Sequence, residues 1–63
     1  MVGLYAITPD EPSTKILVSK VAQALRGGAS VVQYRNKTAD RELRREQGRA
    51  LRILCREADA CFI

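Results

Sequence analysis

Two kinds of hydrophobic spacing alternate along this chain, and no hairpin signal joins any two of the segments. Leu4-Tyr5-Ala6-Ile7-Thr8 is a short run with aromatic and β-branched members, closed by Pro9-Asp10-Glu11-Pro12, which no strand or helix interior tolerates. Leu17, Val18, Val21, Ala22 and Leu25 then recur at helical spacing; Ser13 or Thr14 offers the cap, and Gly27-Gly28 stops the segment. Ser30-Val31-Val32-Gln33-Tyr34-Arg35 reads as a second strand, β-branched at its start and polar at its end. From about Asp40 to Ala58 the helical spacing returns through Leu43, Gln47, Ala50, Leu51, Leu54 and Ala58, and Ala60-Cys61-Phe62-Ile63 opens a third strand. The expected elements are therefore strands over 4–8, 30–35 and from 60, with helices over 13–26 and 40–58.

Strand, helix, strand, helix, strand in that order asks for an α/β fold with a parallel sheet and helices packed on it. Such a sheet needs covered faces and paired edges, which two and a half βα units do not supply. Sixty-three residues also bury only about 60% of the surface of the unfolded chain. The expectation is a portion, 1–63, of a single larger domain that continues past Ile63. An open flavodoxin-like sheet begins the same way, although no Gly-rich turn follows the first strand.

Composition narrows the chemistry. Eleven Lys and Arg against seven Asp and Glu give a net charge of +4, which favours polyanions or phosphorylated small molecules. There is no histidine, so imidazole-based nucleophile systems and Cys₂His₂ zinc sites are excluded from these residues. Cys55 and Cys61 are too sparse for a metal cluster and read as buried thiols. No stretch approaches the roughly 18 apolar residues of a membrane span, and no secretory leader pattern opens the chain, so a reducing cytoplasmic location is expected.

Alternation along the second strand puts Val31, Gln33 and Arg35 on one face and Val32 and Tyr34 on the other, with Lys37 continuing the first parity. An amide, a guanidinium and an ammonium would then converge at the C-terminal end of a parallel strand, where α/β folds place ligands. A guanidinium fork beside an ammonium suits a phosphate or diphosphate, whereas the plainer alternative is three solvated polar groups. The expectation of a ligand rests on cost: Gln33 and Arg35, buried on a largely apolar strand, would need a partner.

Other polar residues compete for attention. Arg41, Arg45, Arg49, Arg52 and Arg56 fall within roughly an 80° arc, almost opposite the stripe of Leu43, Ala50 and Leu54. They could track nucleic-acid phosphates, but Glu42 and Glu46 sit three residues before Arg45 and Arg49, and no aromatic is interleaved for stacking. A solvated outer helix face is the expectation, and nucleic acid is not an expected partner. Asp10 and Glu11, after the first strand, are candidates for a metal or catalytic role, and Thr8 for a phosphate contact. Gly48 inside the second helix costs about 1 kcal/mol relative to Ala, which points to close approach of a neighbour or to drift.

Gly3-Leu4-Tyr5-Ala6-Ile7-Thr8-Pro9-Asp10, Gly27-Gly28-Ala29 and Val32-Gln33-Tyr34-Arg35-Asn36-Lys37, taken together at this spacing, resemble the N-terminal portion of the thiamine phosphate synthase family. The resemblance implies the first two βα units and the start of strand three of a (β/α)₈ TIM barrel. It implies a transferase that joins 4-amino-2-methyl-5-hydroxymethylpyrimidine diphosphate to thiazole phosphate, releasing pyrophosphate, with Mg²⁺ as cofactor. It assigns pyrimidine orientation to Gln33, the diphosphate to Arg35 and Lys37 as the catalytic cations, and further contacts to the backbone of Tyr34 and Asn36. The family often carries an acidic residue where this chain has Asn36. The family's Asn-Asp pair, its metal-binding carboxylate and its thiazole-phosphate contacts fall after Ile63, so no metal ligand is expected within these residues and the piece alone is expected to be inactive.

Two rivals stand beside it. Thiazole tautomerase-like relatives share the barrel but depart from Gln-x-Arg-x-Lys on the second strand. A non-enzymatic basic module binding nucleic acid through the arginine row is the rival of another class.

Overall fold

The computed structural model describes residues 4–63, so Gly3 of the opening motif lies outside the described residues. Leu4–Ile7 (β1), Ala29–Gln33 (β2) and Cys61–Phe62 (β3) form one parallel sheet in the order β1-β2-β3, and the crossovers are Thr14–Arg26 (α1) and Arg41–Glu57 (α2).

Each helix starts and stops on local chemistry. Ser13 Oγ accepts from the Ile16 N–H at 3.3 Å and caps α1, and Asp40 Oδ1 accepts from the Leu43 N–H at 2.8 Å and caps α2. Helix α1 ends where Gly28 takes φ +112°, a conformation costly to any side-chain-bearing residue. Helix α2 ends in a Schellman turn: Asp59 adopts φ +57°, its N–H reaches the Arg56 carbonyl at 3.2 Å, and the Ala60 N–H reaches the Cys55 carbonyl at 2.8 Å.

Strand β2 begins one residue earlier and ends two residues earlier than the 30–35 read from sequence. The Tyr34 N–H still bonds to the Ile63 carbonyl at 3.0 Å, but the Arg35 N–H leaves the ladder for the Thr8 hydroxyl at 2.8 Å. Strand β1 is likewise a residue shorter than 4–8, although the Thr8 N–H still donates to the Gln33 carbonyl at 3.0 Å.

The core is one-sided. Leu17 and Val21 from α1, Leu51 and Cys55 from α2, and Val32 from β2 are buried together, with Phe62 and Tyr34 packed against them. Register gives the sheet two unlike faces: Ala6, Val32 and Phe62 are in line on the helix side, and Tyr5, Val31 and Cys61 on the other. That second face is open, with Tyr5, Ile7 and Ile63 at 57, 60 and 60% exposure. Cys61, expected to be buried, is exposed because its parity puts it on this open face, whereas Cys55 is buried. Desolvation raises the Cys55 thiol pKa, with Cys61 adding to the rise, and keeps the thiol protonated.

Candidate functional site

The C-terminal edge of β2 is where strand parity and loop chemistry meet. Beyond Gln33 the Tyr34 N–H continues the ladder to β3, residues 34–36 alternate in burial, and the chain turns at 37–38. Tyr34 turns inward, where its hydroxyl donates to Gln47 Oε1 at 2.5 Å. Asn36 is buried at 5% exposure; its Nδ2 donates to Gln47 Oε1 at 3.0 Å and to the Glu11 carbonyl at 3.1 Å. Its Oδ1 accepts from the backbone N–H and the hydroxyl of Thr38, at 3.2 and 3.0 Å. Arg35 and Lys37, between these inward residues, are exposed.

Main-chain bonds fix the outward pair from behind. The Thr8 hydroxyl accepts from the Arg35 N–H at 2.8 Å and donates to the Arg35 carbonyl at 3.2 Å, and Asp10 Oδ1 accepts from the Lys37 N–H at 3.0 Å. The side chains of Arg35 and Lys37 share an open cavity of about 290 Å³ with Tyr34, Asn36 and Arg44. Three cationic side chains therefore border one space at the C-terminal end of a parallel sheet, an arrangement that attracts phosphate oxygens. Burial raises the Tyr34 pKa, while Asn36 and the Arg44 charge pull it down, so the phenol remains a proton donor near neutrality.

Several readings from sequence are corrected by this geometry. Gln33 is half-buried on the open face and does not line the cavity shared by Arg35 and Lys37. Arg35 is exposed, so the cost of a buried guanidinium, which argued for a ligand, does not arise. Thr8 is 6% exposed and its hydroxyl is committed to the Arg35 backbone, leaving it no phosphate role. Glu11 is also engaged, accepting from the Ser13 N–H at 3.1 Å and lying 3.7 Å from the Lys20 ammonium. Among the described residues no group of three His, Cys, Asp or Glu side chains could hold a metal ion.

Arg44 and Gln47 are the residues that sequence reasoning passed over as site elements. Arg44 lies outside the row of five arginines and reaches the cavity from the first turn of α2. Gln47 occupies a position in the apolar stripe and is wholly buried; the legible signal was an amide standing where a leucine would serve the core better. The arginine row is exposed along its length, with Arg45, Arg49, Arg52 and Arg56 bordering an outer groove of about 440 Å³. No ion pair within 4.0 Å joins Glu42 to Arg45 or Glu46 to Arg49 among the described residues; Glu46 instead accepts from the Thr14 hydroxyl.

The family model described as thiamine monophosphate synthase matches residues 4–63. The chain belongs to the thiamine monophosphate synthase family. It is 58% identical over 57 residues to the thiamine-phosphate synthase of Nitrosospira multiformis, covering 90% of this chain and 24% of that protein. The thiamine-phosphate synthases of Aromatoleum aromaticum and a Janthinobacterium species are 52 and 49% identical over 61 residues, with 97% of this chain covered in each. Those matches span 29 and 30% of the two proteins' lengths, so the chain corresponds to less than a third of each of these relatives. No solved structure matches the chain. No helix among the described residues is long and apolar enough to cross a membrane.

Proposed function

We propose that these residues form the N-terminal portion of a (β/α)₈ barrel acting in the cytoplasm as a thiamine phosphate synthase. It joins 4-amino-2-methyl-5-hydroxymethylpyrimidine diphosphate to thiazole phosphate and releases pyrophosphate. The observation that carries this is the shared cavity of Arg35 and Lys37, bordered by Arg44, at the C-terminal end of the sheet in a member of this family. Supporting the larger barrel are the exposed Tyr5, Ile7 and Ile63 on the open sheet face, apolar surface of the kind a parallel sheet covers.

The chemistry follows from charge. As the bond from the pyrimidinylmethyl carbon to the diphosphate oxygen breaks, positive charge grows on carbon and negative charge on the departing pyrophosphate. The thiazole nitrogen supplies the electron pair for the new carbon–nitrogen bond, so the protein need furnish neither a nucleophile nor a histidine base. Arg35 binds two diphosphate oxygens through its fork, Lys37 supplies a second positive charge, and both gain strength as the leaving group separates. Arg44 adds a third positive charge from the helix side. Gln33, on the open face beside this edge, orients the pyrimidine through its amide, and the backbone of Tyr34 and Asn36 completes the contact.

The residues present do not make a magnesium site. The Asp10 carboxylate already holds the Lys37 backbone and no metal-binding group of three surrounds it among the described residues, so magnesium takes its ligands from elsewhere in the protein. The 63-residue piece by itself is inactive, holding only part of the charge that stabilises the leaving group.

Replacing Arg35 by alanine in the longer protein tests this function. Turnover is expected to fall about 10²- to 10³-fold, the scale of losing one preorganised charge donor, with the thermal midpoint nearly unchanged. Near-normal turnover would remove Arg35 from the reaction.

A further inference from the structure

We infer that Gln47 is a positioning residue for the diphosphate site, stapling the loop after β1 to the loop after β2 so that Arg35 and Lys37 face the ligand together. The inference rests on the proposed synthase function and extends it to a residue on α2 that touches no substrate.

Gln47 is at 0% exposure, yet all of its hydrogen bonds go to the active edge of the sheet. Its Nε2 donates to the Glu11 carbonyl at 2.8 Å, in the loop after β1. Its Oε1 accepts from the Tyr34 hydroxyl at 2.5 Å and from Asn36 Nδ2 at 3.0 Å, both in the segment after β2. The amide orientation is fixed, because a carbonyl oxygen only accepts and Nδ2 only donates. Asn36 closes the triangle through its second hydrogen to the same Glu11 carbonyl, at 3.1 Å. No buried polar side-chain atom among the described residues is left without a partner.

The consequence is register. Tyr34 and Asn36 are held inward by this network, Arg35 between them is exposed, and Lys37 follows in the turn at 37–38, where Asn36 Oδ1 accepts from the Thr38 N–H. Asp10 on the first loop holds the Lys37 N–H, so a shift of that loop relative to the second moves the Lys37 backbone. An apolar residue at position 47 could fill the same volume but would leave the Glu11 carbonyl without its 2.8 Å donor and the Tyr34 hydroxyl without its acceptor. An amide at that depth is therefore explained by loop placement better than by packing.

The test uses the longer protein carrying this segment, with inorganic pyrophosphate as the binding probe and the two substrates varied separately. Gln47→Met, which keeps the side-chain bulk, is expected to weaken pyrophosphate binding and raise the KM for the pyrimidine diphosphate by about tenfold, a typical penalty for losing a residue that orients a ligand-binding group. The KM for thiazole phosphate should stay within error. A variant that lowers the amount of folded protein reduces the apparent kcat without moving either KM. Unchanged KM for the pyrimidine diphosphate, or equal rises in both KM values, would overturn the positioning role. If Gln47→Met does not fold, Tyr34→Phe removes one bond to Oε1 and is read the same way, with an expected rise of about threefold in that one KM; no selective rise would overturn the inference. Arg35→Ala separates the two proposals: pyrophosphate binding insensitive to Arg35 sinks the synthase function, whereas binding sensitive to Arg35 but not to position 47 or Tyr34 sinks only this one.

Discussion

The two sides of one short stretch, residues 32–37, do different work. Val32, Tyr34 and Asn36 turn toward the helices and are buried or half-buried, and each polar group among them has a partner. Gln33 and Arg35 alternate with them, Lys37 follows in the turn at 37–38, and the two cations are exposed with no ion pair to Asp or Glu within 4.0 Å among the described residues. The inward side is closed by hydrogen bonds within the protein, whereas the two outward cations are left to solvent in this structure. Alternation of side chains is what separates neighbours as near as Tyr34, Arg35 and Asn36 in burial, and the turn at 37–38 carries Lys37.

That contrast breaks most visibly through the core. Leu51→Ala, at 0% exposure beneath β2, should cost about 2–5 kcal/mol in a denaturant titration. Arg35→Ala and Lys37→Ala should each stay within about 0.5 kcal/mol. Comparable losses from the two sets would show that the outward cations hold the fold together, and the division of labour would fail.

A smaller effect sharpens the comparison along α2. Gly48 follows the buried Gln47, and a methyl built on it meets nothing within 4 Å among the described residues. Gly48→Ala should therefore raise stability by about 0.5–1 kcal/mol through helix propensity, seen as a higher denaturant midpoint. A loss instead would reveal a neighbour packed against that turn in the longer protein.

The smallest expected effect separates the phenol from the cations beside it. The Tyr34 pKa is raised in the folded protein, chiefly by burial, so the neutral phenol is favoured by folding. That stabilisation is complete below the ordinary tyrosine value of about 10 and is lost as pH rises from there through the folded-state value. Urea midpoints measured from about pH 9 to 11 should fall less in Tyr34→Phe than in the parent. Parallel slopes would mean that the ring is not desolvated in solution.

Much of the architecture was legible because its causes are local. Ser13, Asp40 and Gly27-Gly28 mark helix ends through bonds that span a few residues, and the apolar spacings of three, four and two follow from backbone geometry alone. The ends of the strands were less legible. Strand β2 stops at Gln33 because the Arg35 N–H is taken by the Thr8 hydroxyl, a residue 27 positions away. Sequence spacing also suggested Glu42–Arg45 and Glu46–Arg49 pairs that do not close within 4.0 Å among the described residues, since exposed charges gain little by holding one geometry.

For the site, the parity of Arg35 and Lys37 was readable from the strand pattern, but the cost argument attached to it was not correct. Both side chains are exposed, and Gln33 does not line their cavity. Arg44 joins the cavity only where the start of α2 meets the segment 34–37 in space. Gln47 becomes the hub of the loops only where residues 11, 34, 36 and 47 meet in space.

The amino-acid order by itself determined the alternation of strands and helices, their caps, and which residues share a face, because these depend on propensities and periods a few residues long. Only the tertiary structure decided which polar groups are spent on one another and which stay exposed. Burial and hydrogen-bond partnership are properties of segments brought together from distant positions, and no local pattern encodes them.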